Sequence, residues 1–289
     1  MKSVLGVFGG SGIYAIPGIE LLGEERIDTP FGSPSDALIR ARLGETELLF
    51  LPRHGRGHRV PPHLINYRAN IAAMKLAGAS QIISLSAVGS MKEQIAPGHV
   101  VVVVQYIDLT KRRVSTFFED GIAAHVSMAD PVCPNLAKVC FEAAGRAGGT
   151  AHEGGSYVCI GGPQFSSRAE SNVYCSWGGR VIGRSAMPEA KLAREAELPY
   201  ATIALVTDYD CWHESEESVT VTAVLAVLRA NSELAQRIVA EVAGSLPDPD
   251  KSPAARALEH AVITAPESIE PAARKRLGFL LERGSEKIA

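Results

Sequence analysis

Short apolar runs recur along the chain, and most end abruptly in glycine, hydroxyl or charged residues. Val4–Phe8, Leu48–Pro52, Gln81–Ser86, Val100–Ile107, Ser156–Ile160, Arg180–Ile182 and Tyr200–Val206 follow this pattern. They are short, mostly rich in β-branched residues and bounded by turn chemistry, which predicts strands. Other stretches have helical spacing. Asn66–Leu76 carries Ile71, Ala72, Met74 and Leu76 and stops at Gly78. Pro134–Gly145 is expected to be a helix after a lead-in loop over Met128–Pro134, and Ala190–Glu197 is composed of strong helix formers. Val219–Val242 repeats Val221, Val224, Leu225, Leu228, Leu234 and Ile238 at the period of one buried face. Asp108–Asp130 is polar and irregular and is expected to be a surface excursion or a subunit contact, with Phe117 and Phe118 side by side. Leu246–Pro253 is a proline-rich linker, and Ala254–Ala289 is expected to be helical with a break over Thr264–Pro271.

Composition narrows the class. With 289 residues, 46% hydrophobic and 21% charged, the chain is long enough for one full core. A formal net charge of −3 gives no reason to expect nucleic acid or an anionic membrane surface. The apolar runs are far too short to span a membrane. Five cysteines without a CxxC pair or a signal peptide read as reduced thiols of a cytoplasmic protein. The eight histidines show no metal-ligand spacing, so no metal is expected.

The chemistry gathers at strand ends, where ligands bind in open α/β sheets. After Val4–Phe8 comes Gly9-Gly10-Ser11-Gly12, a loop whose backbone N–H groups could approach an anion closely. Its spacing matches neither a phosphate-binding Gly-Lys-Ser/Thr loop nor a dinucleotide fingerprint, so a plain tight turn is the competing reading. Leu48–Pro52 delivers Arg53-His54-Gly55-Arg56-Gly57-His58-Arg59, five basic or titratable side chains in seven positions. Arginine's planar fork suits phosphate; a solvated basic loop is the plainer alternative. Gln81–Ser86 closes on Ser86-Ala87-Val88-Gly89-Ser90, a run of small residues and hydroxyls. Gly161 to Glu170 is a Gly/Pro turn with Phe165 and Ser/Glu helix-start spacing. Phe165 suits either the core or a flat base. Tyr200–Val206 stops at Asp208 and Asp210, two acceptor-only carboxylates when ionised, which suit a ligand offering N–H donors such as the amine of adenine. A solvated loop capping the next helix is the bland alternative for that pair.

Taken together, these motifs resemble the 5′-methylthioadenosine phosphorylases within the larger purine nucleoside phosphorylase group. The resemblance covers about residues 3–245 and rests on Gly9–Gly12, Arg53-His54-Gly55, Pro62-His63, Asn66–Asn70, Gly161–Glu170, Pro188-Glu189-Ala190 and Thr207–Trp212. It implies a three-layer α/β/α nucleoside phosphorylase fold with a central mixed sheet over residues 1–245, with 246–289 as a linker and helical extension on the same domain. It also implies a cytoplasmic homotrimer, or a hexamer as a dimer of trimers, with no cofactor beyond phosphate as co-substrate. The implied reaction is phosphorolysis of a 6-aminopurine nucleoside, foremost S-methyl-5′-thioadenosine, by a pentosyltransferase of purine and methionine salvage. By motif, Ser11, Arg53, His54, Ser86, Ala87 and Ser185 are expected to hold phosphate. Asp208 and Asp210 are expected to face N7 and the 6-amino group as the catalytic pair. Phe165, Ser166, Arg184, Met187, Val221, Val224 and Leu225 are expected around the nucleoside, and His125 at a neighbouring subunit's site.

One residue departs from the family. Position 184, usually methionine against the ribose, is arginine here. A charge in such a cleft needs an anion or a carboxylate partner. Arg184 therefore serves the phosphate, turns to a carboxylate, or selects a nucleoside with a polar or anionic 5′ group. Alternatives to the methylthio substrate are a broader purine nucleoside, a methylthioinosine-type substrate or another 5′-modified adenosine. The competing classes are a nucleoside hydrolase and a non-catalytic nucleoside binder.

Overall fold

Alternation within the first strand sets the layering. In β1 (Val4–Gly9), Leu5 and Val7 enter one hydrophobic cluster and Phe8 enters another on the opposite face. The computed structural model describes residues 3–10, 14–213 and 221–281, with backbone alone for 221–225. After β1 come β2 (Glu20–Glu25), β3 (Leu38–Leu43), β4 (Thr46–Pro52), α1 (Tyr67–Leu76), β5 (Gln81–Ser90), β6 (Val100–Val103) and β7 (Gln105–Leu109). Then follow α2 (Pro134–Arg146), β8 (Ala151–Glu153), β9 (Ser156–Ile160), α3 (Arg168–Ser176), β10 (Gly179–Gly183), α4 (Ala186–Glu195), β11 (Tyr200–Tyr209), α5 (Val221–Ala243) and α6 (Pro271–Leu281).

The two clusters show the expected three layers. Residues of α1, α4 and α6 share one cluster with Phe8, Leu49 and Leu51; residues of α2 and α5 share the other with Leu5, Val7 and Leu48. Each fully buried Leu or Ile contributes about 1.5–3 kcal/mol relative to exposure. The sheet is mixed. β1 is parallel to β4 and β5, β5 is parallel to β11, and β10 is antiparallel to β5.

The branching of this sheet at β5 positions the site. One edge of β5 is covered by β11 from Ile82 to Ser90. The other edge is shared: β1 pairs with Gln81–Ser84, and β10 pairs only with Gly89 and Ser90. Between Leu85 and Val88 that edge has no strand neighbour among the described residues. β1 and β10 part there, and the gap is a topological switch of the kind that hosts ligands.

Several expectations change. Neither β2 nor β3 is among the strands expected from the sequence; β2 is nearly all exposed, so its side chains show no buried face to read, whereas β3 alternates Ile39 and Ala41 with Arg40 and Arg42. The run Val100–Ile107 is two strands. β6 pairs with β11 and β8, and after Val104 the chain turns to β9 as β7. Tyr200–Val206 continues to Tyr209 past a bulge between Val206 and Asp208, so Asp208 is itself a strand residue paired with Gly89. Asp108–Asp130 is more than a surface excursion: Phe117 is fully buried in the cluster that holds α6. The stretch from 254 to 270 holds short 3-10 turns at Pro253–Arg256 and Pro266–Ser268, and the helix begins only at Pro271. Pro266 lacks the N–H that would continue a helix and clashes with the preceding turn, in line with the expected break over Thr264–Pro271. The capping box at the start of α3 forms as the Ser/Glu spacing predicts, with Ser167 and Glu170 satisfying each other's backbone N–H.

Candidate active site

Arg53 follows β4 directly and fills the gap beside β5. It is 3% exposed. Nε and Nη2 donate to the two oxygens of Glu189 at 3.0 Å each, Nη2 also to Ser84 Oγ at 2.7 Å, and Nη1 to the Leu85 carbonyl at 2.8 Å. The last bond caps a β5 edge carbonyl that lacks a strand partner. Four bonds use four of the five guanidinium N–H groups. Glu189 is fully buried and also accepts from Ser84 Oγ and Tyr200 Oη. The basic cluster Arg53–Arg59 therefore divides. Arg53 turns inward, whereas Arg56 is neutralised by Glu24 and Asp36 at the surface.

Beside the arginine, three hydroxyls meet. Ser86 Oγ lies 3.0 Å from Tyr157 Oη and 3.2 Å from Ser185 Oγ. Ser86 comes from β5, Tyr157 from β9 and Ser185 from the start of α4, so the trio bridges the two parts of the branched sheet. Gly183 admits the phenol: a Cβ there would lie 1.9 Å from Tyr157 Oη. Ala87 is exposed between buried Ser86 and Val88, on the edge where β1 and β10 diverge.

His54 is half-buried, and its Nδ1 bonds the Val60 carbonyl at 2.8 Å, which makes Nδ1 the donor and leaves Nε2 as an acceptor when the ring is neutral. Burial first, then the charges of Arg53, His58 and Arg184, push its pKa from 6.5 down to about 4, against the opposing Val60 bond. The unfolded chain therefore binds a proton below 6.5 that the folded chain refuses until about 4. The resulting stability is present above the unfolded value and is lost as pH falls through this window. Urea midpoints measured from pH 7 to 4 are expected to fall more steeply for the wild type than for His54→Gln; parallel curves refute the assignment.

The acid pair closes the other end of the gap. Asp208 stands opposite Gly89, three residues beyond Ser86, or about 10 Å along the strand. Its Oδ2 accepts from Thr207 Oγ1 at 2.6 Å. Asp210 is 8% exposed, and its Oδ2 accepts from buried Ser171 Oγ of α3 at 2.5 Å. Gly89 leaves room for both: its missing Cβ would lie 3.1 Å from Asp208 Oδ1 and 3.4 Å from Asp210 Cβ. Cys211 Sγ, next in sequence, donates to the Ser166 carbonyl at 3.3 Å, which ties the acid strand to the loop of Phe165. Ser166 Oγ is buried and has no hydrogen-bond partner among the described residues. A buried hydroxyl in that state suits a ligand atom.

Phe165 is 77% exposed and carries the Arg184 guanidinium 4.4 Å above its ring. Arg184 Nη1 donates to the Pro163 carbonyl at 2.6 Å, and among the described residues no carboxylate pairs with it. Among the described residues, Arg184 thus meets an aromatic face and a carbonyl. Met187 is 3% exposed and lies at a non-helical φ/ψ within α4. His125 is exposed on the long loop after β7, its N–H bonded to the Ala261 carbonyl. Ser11 lies outside the described residues, as do the side chains of Val221, Val224 and Leu225. An open surface cavity of about 1030 Å³ touches Phe165 and Ser166 but neither acid nor any of the hydroxyl trio.

Two organising residues escaped the sequence reading. Glu189 gave no sign of its buried partner Arg53. Arg113, in the polar stretch after β7, donates to the carbonyls of Gly161 at 2.7 Å, Arg184 at 2.7 Å and Met187 at 2.5 Å. It pins the segments that carry Phe165, Ser185 and Met187. An arginine in an irregular polar stretch looks solvated, so no local signal marks this role.

Among the described residues, no group of three metal-ligating side chains could hold a metal ion and no helix is long and apolar enough to cross a membrane. A sequence profile described as the phosphorylase superfamily matches residues 4–243. The S-methyl-5′-thioadenosine phosphorylase of Geobacter sulfurreducens is 48% identical over 97% of this chain and 99% of its own. That of Bradyrhizobium diazoefficiens is 50% identical over 98% of each chain. A crystal structure of a methylthioadenosine phosphorylase from an antarctic soil metagenomic library superposes with a TM-score of 0.91, at 44% identity over 97% of this chain and 99% of that one. The methylthioadenosine phosphorylase from Schistosoma mansoni, in complex with adenine, follows at a TM-score of 0.79 and 35% identity, covering 85% of this chain and 93% of that one. The chain belongs to the phosphorylase superfamily and, within it, to the family of S-methyl-5′-thioadenosine phosphorylases.

Proposed function

We propose that the protein cleaves S-methyl-5′-thioadenosine with inorganic phosphate, releasing adenine and S-methyl-5-thioribose 1-phosphate. The observation that carries this reading is the gap along β5, with hydroxyls and Arg53 at one end and two carboxylates at the other. Phosphate takes the end with Ser86, Ala87, Ser185, Arg53 and His54, joined by Ser11. The purine takes the end with Asp208 and Asp210, between Ser166 and Phe165, with Arg184, Met187, Val221, Val224 and Leu225 around the rest of the nucleoside. Breaking the C1′–N9 bond leaves its electron pair on the purine, and a proton held between Asp208 or Asp210 and N7 offsets that charge. The oxocarbenium-like ribose is met by a phosphate oxygen, which forms the new C1′–O bond. The cleft's contribution is orientation and fixed dipoles rather than a nucleophile of its own. No cofactor enters this scheme; phosphate is the co-substrate.

The same reading takes residues 1–245 as the phosphorylase domain with 246–289 as an extension, in a cytoplasmic homotrimer or a dimer of trimers, with His125 serving a neighbouring site. Exposed Phe165, Leu64 and Trp177 support a partner surface near the cleft, at 77%, 66% and 54% exposure. The deciding experiment follows adenine release with and without phosphate. Release is expected to stall in phosphate-free buffer and to yield a sugar phosphate when phosphate returns. Release that proceeds equally without phosphate identifies a hydrolase, and no release identifies a binder.

A further inference from the structure

Tyr157 is fully buried in β9, yet its phenol oxygen stands directly behind the two serines at the phosphate end of the gap. Gly183 of β10 makes the room, since a Cβ there would lie 1.9 Å from Oη. Burial first, then the Cys159 thiol, push the phenol up to about 12 against the opposing pull of Ser86 and Ser185, so it keeps its proton at neutral pH.

The surroundings fix where that proton points. The phenol oxygen lies 3.0 Å from Ser86 Oγ, and among the described residues no acceptor outside the two serines is within its reach. A buried O–H without an acceptor is strongly disfavoured. The phenol therefore donates to Ser86. Ser86 Oγ, having accepted, is left with its own proton to give, and a hydroxyl that accepts one bond donates the next more strongly. In the empty cleft that proton reaches Ser185 Oγ at 3.2 Å. Ser185 directly precedes α4 but makes no side-chain cap to that helix, so its hydroxyl is uncommitted as well. Three O–H protons share two contacts inside the trio, which leaves one proton directed outward. An arriving anion with several acceptor oxygens draws out a second by replacing the Ser86–Ser185 contact. The phenol bond to Ser86 persists throughout. Without it, the Ser86 hydroxyl is a free rotor.

We propose that Tyr157 is a positioning residue for phosphate: by donating its phenol proton to Ser86 Oγ, it turns the hydroxyl protons of Ser86 and Ser185 into the gap, where phosphate oxygens accept them. Tyr157 acts through the two serines rather than on phosphate directly. The inference rests on the phosphorolysis reading.

The test is steady-state adenine release from S-methyl-5′-thioadenosine, with phosphate and nucleoside varied separately. The variants are Tyr157→Phe, Gly183→Ala, Ser86→Ala and Tyr157→Phe combined with Ser86→Ala. Tyr157→Phe removes one oxygen and keeps the ring. It is expected to raise the phosphate KM about three- to tenfold, the scale of one neutral hydrogen bond, with the nucleoside KM changed by no more than about twofold. Gly183→Ala keeps the phenol and both serines but drives the phenol off Ser86. It should raise the phosphate KM in the same direction, and it carries the test if Tyr157→Phe does not fold. In the Ser86→Ala background, Tyr157→Phe should add no more than about twofold, because the relay is already broken. An unchanged phosphate KM in either folded single variant at Tyr157 or Gly183 overturns the proposal, whatever happens to the urea midpoint, because the phenol would then serve stability alone. A rise confined to the nucleoside KM overturns it too. So does a full-sized Tyr157→Phe effect in the Ser86→Ala background, since the phenol would not be acting through Ser86. A wild-type rate independent of phosphate overturns the underlying reading itself and is seen in the wild type alone.

Discussion

Asp208→Asn is expected to lower kcat for adenine release by about two to four orders of magnitude, the usual scale of a lost general acid. Asparagine has the same shape, and its side-chain oxygen still accepts from Thr207 Oγ1, a bond of 2.6 Å in the wild type. Folding should therefore be little changed, so the loss is chemical. The amide cannot carry a proton to and from the purine as negative charge builds on the leaving base. It also replaces an acceptor with a donor at the 6-position edge. The ratio of activity on 6-amino to 6-oxo nucleosides should fall, because an N–H suits a carbonyl and not an amine. The measurement is kcat and KM for adenosine-type and inosine-type substrates in wild type and variant. A wild type that prefers the 6-oxo substrate, or a variant with undiminished kcat, removes Asp208 from the role given to it.

Arg53→Ala is expected to destabilise the fold by about 3–5 kcal/mol, the cost of removing one partner of a buried ion pair. Glu189 is fully buried, and the variant leaves it with only the Ser84 and Tyr200 hydroxyls. The Leu85 carbonyl also loses its donor on the edge of β5 that β1 and β10 leave open. A direct reading of phosphate binding from this variant would be confounded by the fold. Arg53→Ala combined with Glu189→Gln removes both charges and is expected to recover part of the lost stability. Urea denaturation of the two single variants and the double gives the coupling. Additive losses would show that the pair is not a unit. If the double variant folds, its phosphate KM reports on Arg53 apart from the stability effect, and it should exceed the wild-type value.

Most strands were legible because each is a local object. β1, β4, β9 and β11 announce themselves by short apolar runs and by the turn residues that end them. The start of α3 is equally local, since a Ser and a Glu three residues apart complete each other's bonds whatever else the chain does. Asp208 and Asp210 were legible for the same reason: two acids after a buried strand stand at its carboxyl end in any α/β sheet. β2 was not legible. An exposed edge strand has no buried face, so periodicity carries no information about it. The division of Val100–Ile107 was hidden too, because only Val104 separates β6 from β7, no glycine or proline marks the break, and it shows only in which strands they meet.

The sequence by itself determined the α/β alternation, the strand ends where chemistry gathers and the types of side chain available there. The tertiary structure decided which of those side chains act together. Arg53 and Glu189 are 136 residues apart, and Ser86 and Ser185 are 99 apart. Whether such groups meet depends on how β1 and β10 divide one edge of β5, which no local pattern encodes. The same closure decided that Arg56 lies at the surface with its own carboxylates while Arg53 is buried. It made Arg113 a tether of three segments. It left Arg184 on the face of Phe165. Propensity and patterning act over a few residues, whereas burial, ion pairing and charge balance are properties of the assembled chain.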